Sequence, residues 1–330
     1  MRRHGRWLGA VVLGSAIVLA AGWPSPAAAQ RTHAPYRVGV LDDAPAANHP
    51  AVHGLRAGLA EAGWQDGRDI IFDVRLTGGR PEQMRAAAEA LVKSGVDVIF
   101  TSGEAATLTA ITATQTIPIV FTLVGDPVAA GLVKSLAQPT GNLTGVSSLT
   151  TELVPKRMEV LKALAPGVRR VWAISDSART PLFGEPLDRA IAASARFGIE
   201  FAPRTIRTPG ELEQTLDGLR PDDGLLVPDV AIMDLSARLL EVSLARRIPA
   251  VFSSELWVNH GGLVSYGADY RAQGLQASRL VRKILRGTSP RDLPVESAER
   301  VILAVNLKTV AAFGLTAPRQ ILFRADVIRR

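Results

Sequence analysis

The chain has 330 residues, 47% hydrophobic and 21% charged, with a formal charge of +7 and no cysteine. That is enough for one large domain or two ordinary ones, and the missing thiols exclude disulfides, thiol nucleophiles and cysteine-based zinc or iron–sulfur sites. Basic residues occur in runs no longer than pairs such as Arg169-Arg170, and aromatics make up only 5%, so a nucleic-acid partner is not expected.

Arg2, Arg3 and Arg6 head an uncharged run over residues 7–23, and Ala27-Ala28-Ala29 follows. A basic head, an apolar stretch and a small-residue site predict a secretory signal peptide over residues 1–29, cut after Ala29. A retained membrane anchor is the alternative, but the run is short against the roughly 20 residues of a span. Three of the 38 basic residues lie in this leader, so the remainder carries 35 against 31 acidic residues. A soluble, periplasmic product with a solvated charged surface is expected.

From residue 36 onward, strands and helices alternate. Residues 37–41 read as a strand; Val52, Leu55, Leu59 and Ala62 then fall at helical spacing, with Gly63 at the left-handed position past the end. Residues 70–74 form a second strand. Pro81 opens the next helix, striped by Met84, Ala88, Leu91 and Val92 and ended by Gly95. Residues 96–100 predict a buried strand, 105–114 a helix and 117–121 another strand. A short strand past Asn142 and a linker near residues 145–148 lead to a helix over 151–164 and a strand over 170–175.

The second half repeats the first. Strand 224–227, helix 232–245 and strand 248–252 echo strand 96–100, helix 105–114 and strand 117–121, and IPAVF stands where IPIVF stood. Such βαβ units predict parallel sheets, here two α/β lobes whose strand ends face a shared cleft. A return crossing is expected at residues 253–259. Residues 262–267 read as a last strand of the first lobe, and a helix capped by Asp269 runs to Arg286, closed by Gly287. Leu293-Pro294 is expected to cross back, before a strand at 301–305 and a helix at 307–313. The lobes are thus residues 36–146 with 257–288, and 147–256 with 289–330.

The chain has no Gly-x-Ser-x-Gly elbow, no phosphate-binding loop and no Gly-x-Gly-x-x-Gly after a strand. His49 and His53, four apart near Asp42 and Asp43, could present two imidazoles to a metal, but Pro50 between them favours a plain helix start. No acid–base–nucleophile set is evident, so no enzyme activity, cofactor or metal is expected. The strand-end loops remain. Ser102, Gly103 and Glu104 open a helix whose backbone N–H groups can meet an anion, or Ser102 simply caps it. Thr122 and Asp126 follow the next strand; Asp126 can receive an amino group or cap a turn. In the second lobe, Asp176, Asp229, Ser254 and Glu255 hold the corresponding places, with Trp257 and Tyr266 nearby. Hydroxyls, glycines and carboxylates suit a small polar or zwitterionic solute.

Ordered motifs carry a family resemblance over nearly the whole chain after the leader. They are the 117–121 strand, Gly125-Asp126-Pro127-Val128, Pro139-Thr140-Gly141-Asn142-Leu143-Thr144-Gly145-Val146, Gly261-Gly262-Leu263-Val264-Ser265-Tyr266-Gly267, Leu293-Pro294-Val295-Glu296 and Arg324-Ala325-Asp326. They resemble the substrate-binding proteins of ABC transporters, including tryptophan/tyrosine-type components. The resemblance implies a type I periplasmic-binding-protein fold: two doubly wound parallel-sheet lobes joined by a three-crossing hinge that closes on ligand. It implies a monomeric solute receptor that docks transiently on a membrane ABC permease. A receptor feeding a membrane sensor and an exported enzyme on the same fold are the alternatives. Family members often carry Asn-Pro where this chain has Ser175-Asp176-Ser177, and the loop that begins at Asp42 is acidic. Both departures would fit a ligand with more positive charge.

Overall fold

The computed structural model describes residues 35–42, 49–78, 80–139, 141–150, 152–176, 188, 191–192, 195–227 and 233–330. The expected leader, Asp229 and the side chain of Asp176 lie outside what is described. No helix among the described residues is long and apolar enough to cross a membrane.

Two sheets organise the chain. In the first, β1 (Tyr36–Asp42), β2 (Ile70–Leu76), β3 (Val98–Ser102), β4 (Ile119–Val124) and β5 (Leu143–Ser147) lie in the order β2-β1-β3-β4-β5, and β11 (Glu296–Ser297) joins the far edge. The second holds β6 (Arg170–Asp176), β7 (Glu200–Ile206), β8 (Asp223–Val227), β9 (Ala250–Phe252), β10 (Val264–Ala268), β12 (Val301–Asn306) and β13 (Val327–Arg329). Its order, β7-β6-β8-β9-β10, repeats the first, with β12 and β13 added at the edge. The echo between IPIVF and IPAVF thus reflects two sheets wound alike.

Alternation along the strands divides each lobe's core in two. On one face of the first sheet, Val38, Val40, Phe100 and Val120 pack with α1 (Pro50–Glu61) and the helix Tyr270–Leu285. On the other, Leu41, Ile99 and Phe121 pack with α2 (Pro81–Lys93) and α3 (Glu104–Ala113). The second sheet sets Val171, Leu226 and Val251 against α4 (Val154–Leu164), and Ile174, Leu225 and Phe252 against the helix Met233–Arg246. This is the doubly wound two-lobe architecture expected. The cap residues also stand as expected: Gly63, Gly95 and Gly287 follow their helices with φ of +85°, +66° and +99°, and Asp269 Oδ1 accepts from Ala272 N at 3.0 Å.

The crossings differ from the expected ones. Residues 264–268 form not the last strand of the first lobe but β10 of the second sheet. This strand lies parallel to β9 and antiparallel to β12. A side chain at Gly267 would meet Ser253 O at 1.6 Å, so β10 is pressed against the end of β9 where only glycine fits. The helix Glu255–Asn259 stays with it, burying Val258 against Ile302 and Ala304. Residues 253–259 therefore do not cross, and the crossing falls at Asp269. Leu293-Pro294 does not cross either. Thr144 Oγ1 donates to Leu293 O at 2.8 Å, and Leu293, Val295 and Ala298 are buried in the first lobe. The chain returns only at residues 299–300. Residues 145–147 belong to β5, so the first crossing begins at Ser148.

The second sheet is tied at its amino ends by Asp223. Arg170 donates to both its oxygens at 2.9 Å, Trp172 Nε1 donates at 3.0 Å and Arg220 N at 2.8 Å. Burial disfavours the charge, but these donors outweigh it and hold the carboxyl below the usual carboxylate range. Its contribution is present above the unfolded pKa, about 3.9, and is lost as pH falls through the lower folded value. Asp223→Asn is expected to cost about 2 kcal/mol at neutral pH. In urea denaturation that deficit should shrink between pH 5 and pH 3; a deficit independent of pH would contradict the role.

Candidate functional site

In parallel sheets of this order, ligands lie beyond the carboxyl ends of the strands, where the chain turns to opposite faces on either side of β1 and β3. Three of the expected residues meet there. Asp42 ends β1, pairs in register with Ser102 at the end of β3, and Ser102 pairs with Thr122 on β4. All three are buried. Residues in register share a face, here that of α1 and the 270–285 helix.

Their surroundings differ. Asp42 faces His49, whose Nδ1 lies 3.8 Å from its Oδ2. His49 caps α1, accepting from Ala51 N at 3.3 Å, and its ring stacks on Tyr270 with centres 6.0 Å apart. No metal-ligating cluster that would join it to His53 exists among the described residues. Ser102 is not a helix cap: Gly103 takes that place with φ +94°, and Ser102 Oγ is buried without a hydrogen-bond partner. Thr122 Oγ1 donates to Thr101 O at 3.2 Å. Glu104 opens α3 half-buried.

Asp126 takes the turn role. Its Oδ1 accepts from Val128 N and Ala129 N at 3.0 and 2.9 Å. In the second lobe, Ser254 Oγ accepts from Leu256 N at 3.3 Å as the cap of the 255–259 helix, which half-buried Glu255 begins. Trp257 stacks on Phe252, and Tyr266 packs on the core beneath α4. Both aromatics are engaged in packing.

Sequence reasoning passed over the residues at the crossings. Gln273, 1% exposed, accepts through Oε1 from Leu123 N at 3.3 Å and Ser148 Oγ at 3.1 Å, while its Nε2 has no partner. Leu123 and Leu149 have left-handed backbones, with φ of +58° and +57°, costing roughly 1–2 kcal/mol each for a residue with a Cβ. Arg157, 1% exposed, donates from α4 to Tyr266 O at 2.7 Å and Thr150 O at 2.9 Å. Thr150 Oγ1, Ser253 Oγ and Ser265 Oγ are further buried atoms without partners. Gln273 had a signal: it is a polar residue on the buried stripe of an amphipathic helix, in line with Ala277, Leu280 and Ile284.

A groove of about 520 Å³ lies elsewhere, lined by Gln276, Arg279, Arg282, Lys283, Glu296, Ser297 and Glu299. Arg279 pairs with Glu296 and Glu299, and Gln276 Nε2 donates to Glu296 at 2.7 Å. Gln276, Arg279, Glu296 and Glu299 thus bond to one another.

Residues 41–328 match the family model described as ABC transporter substrate binding protein. A tyrosine-binding protein of Clostridioides difficile is 28% identical over 279 residues, 81% of this chain and 78% of that protein. A conserved domain protein of Vibrio cholerae superposes with a TM-score of 0.77 at 27% identity, covering 89% of this chain and 99% of that one. An ABC domain of Streptococcus pneumoniae in complex with L-Trp gives a TM-score of 0.79 at 24% identity, over 89% of this chain and all of that one. With its two like-wound sheets and a family match across nearly all of the described fold, this chain belongs to the ABC transporter substrate-binding proteins.

Proposed function

We propose that the chain is an exported receptor that captures an aromatic amino acid of the tryptophan/tyrosine type between its lobes and presents it to an ABC import permease. The observation that carries this reading is the buried row Asp42, Ser102 and Thr122 across three adjacent strand ends. A zwitterion needs an anion for its ammonium and donors for its carboxylate. Asp42 supplies the first. Ser102 Oγ and the N–H groups that open α3 supply the second, with the helix dipole favouring a negative group. The stacked His49 and Tyr270 rings beside Asp42 offer a flat surface to an aromatic side chain. The tyrosine-binding relative and the L-Trp complex point to the same ligand class.

A thermal-shift and calorimetry panel of L-tryptophan, L-tyrosine and glucose tests the reading. Ligand at a hundred times its Kd adds about 2.7 kcal/mol of stability, which the melting temperature registers. Stabilisation by glucose and by neither amino acid would overturn the assignment. Ser102→Ala separates binding from folding. Because its Oγ has no partner within the protein, the ligand-free melting temperature should stay level or rise, while affinity falls about tenfold. Unchanged affinity would place Ser102 outside the site.

A further inference from the structure

Gln273 has a carboxamide of fixed orientation. Leu123 N–H can only donate, so the oxygen must face it. Ser148 Oγ lies 3.1 Å from the same oxygen. Swapping the oxygen and nitrogen would set one donor against another and break the first contact. The Nε2 donors are thereby turned elsewhere, into buried surroundings where no protein group accepts from them. Leaving a buried amide donor unpaired is costly, and few such groups persist in a native fold without a reason. A leucine or methionine on this stripe of the helix would avoid the cost.

The position suggests the reason. Leu123 directly follows Thr122, which pairs with Ser102, and Ser102 Oγ is itself a buried atom without a partner. Ser148 lies on the first crossing, and Gln273 closes the first turn of the helix that follows the second crossing. Resting on the amino-acid reading above, we infer that Gln273 is a specificity residue: its Nε2 donates to a carboxylate oxygen of the captured solute while its Oε1 holds the crossing. One side chain then reads the ligand and the link between the lobes together. A solute lacking an acceptor at that point leaves the donor buried and unpaired, which is how a polar site rejects near-isosteres.

The test compares L-tryptophan with L-tryptophanamide, which keeps the ring and ammonium but replaces the carboxylate by a neutral amide. Gln273→Glu keeps the size and the acceptors for Leu123 and Ser148 but removes the donor and adds a like charge. It should weaken L-tryptophan binding about 100-fold and L-tryptophanamide binding less than about 5-fold. Gln273→Asn withdraws the amide by one methylene without charge, so it serves if the glutamate variant does not fold. It should weaken L-tryptophan about tenfold, again more than the amide. Equal losses for both ligands, or no loss, would reduce Gln273 to a structural role and overturn the inference while the amino-acid reading stands. A wild-type protein that binds neither L-tryptophan nor L-tyrosine overturns both.

Discussion

Arg157→Ala should cost the fold about 4 kcal/mol, because one buried and one half-buried carbonyl lose their donor and a cavity opens beneath β10. The guanidinium is 1% exposed and reaches Tyr266 O on β10 and Thr150 O on the first crossing. Neither carbonyl can turn to water without moving a strand end or a crossing. Arginine suits the place because its planar fork serves separate acceptors at once. Arg157→Lys should recover about half the loss, since one ammonium can reach one carbonyl. Arg157→Met fills much of the volume without donating and should remain about 3 kcal/mol below wild type. Urea denaturation reads all three. A methionine variant as stable as wild type would show that Arg157 acts by packing alone.

The second large effect concerns two glycines where α1 meets the 270–285 helix. A Cβ at Gly274 would stand 1.9 Å from Ala51 O, and one at Gly54 would stand 2.0 Å from Arg271 O. Both obstacles are backbone, so no side chain can swing aside and the helices must part. Alanine gains helix propensity, yet the overpacking should leave a net loss of about 3 kcal/mol at either position. The melting temperature should fall by roughly 4–8 °C. The double variant should lose less than the sum, because the first substitution already separates the helices. Ligand affinity should drop as well, since one helix begins beside His49 and the other carries Tyr270 and Gln273. An unchanged melting temperature in Gly274→Ala would mean that the two helices shift without cost.

Much of the architecture was legible because it is local. Alternating periodicity, Pro81 at a helix start, Gly63 and Gly95 past helix ends and Asp269 as a cap all act within a few residues. What stayed illegible was set by distant pairing. Residues 264–268 announce a buried strand, but only the ladders to β9 and β12 decide which sheet receives it. The edge strand β7, interrupted by Pro203, and the helix Pro209–Asp217 carried too little pattern to be read. Residue type and strand-end position singled out Asp42, Ser102 and Thr122, which the strand register sets side by side. The same pattern does not separate caps from other serines: Ser254 caps its helix and Ser102 does not, yet a serine before a helix looks alike in either role. Gln273 escaped because a strand-end search does not inspect the buried stripe of a helix.

The three crossings are bonded to one another. Asp269 N donates to Arg300 O at 3.0 Å, joining the second to the third. Ser148 reaches Gln273, and Arg157 spans Thr150 and Tyr266, joining the first to the second. Few backbone torsions are then free to turn separately. A rotation of one lobe against the other must pass through all three strands in step, as along a single mechanical coordinate. Twisting or sliding modes carry the added cost of breaking these links.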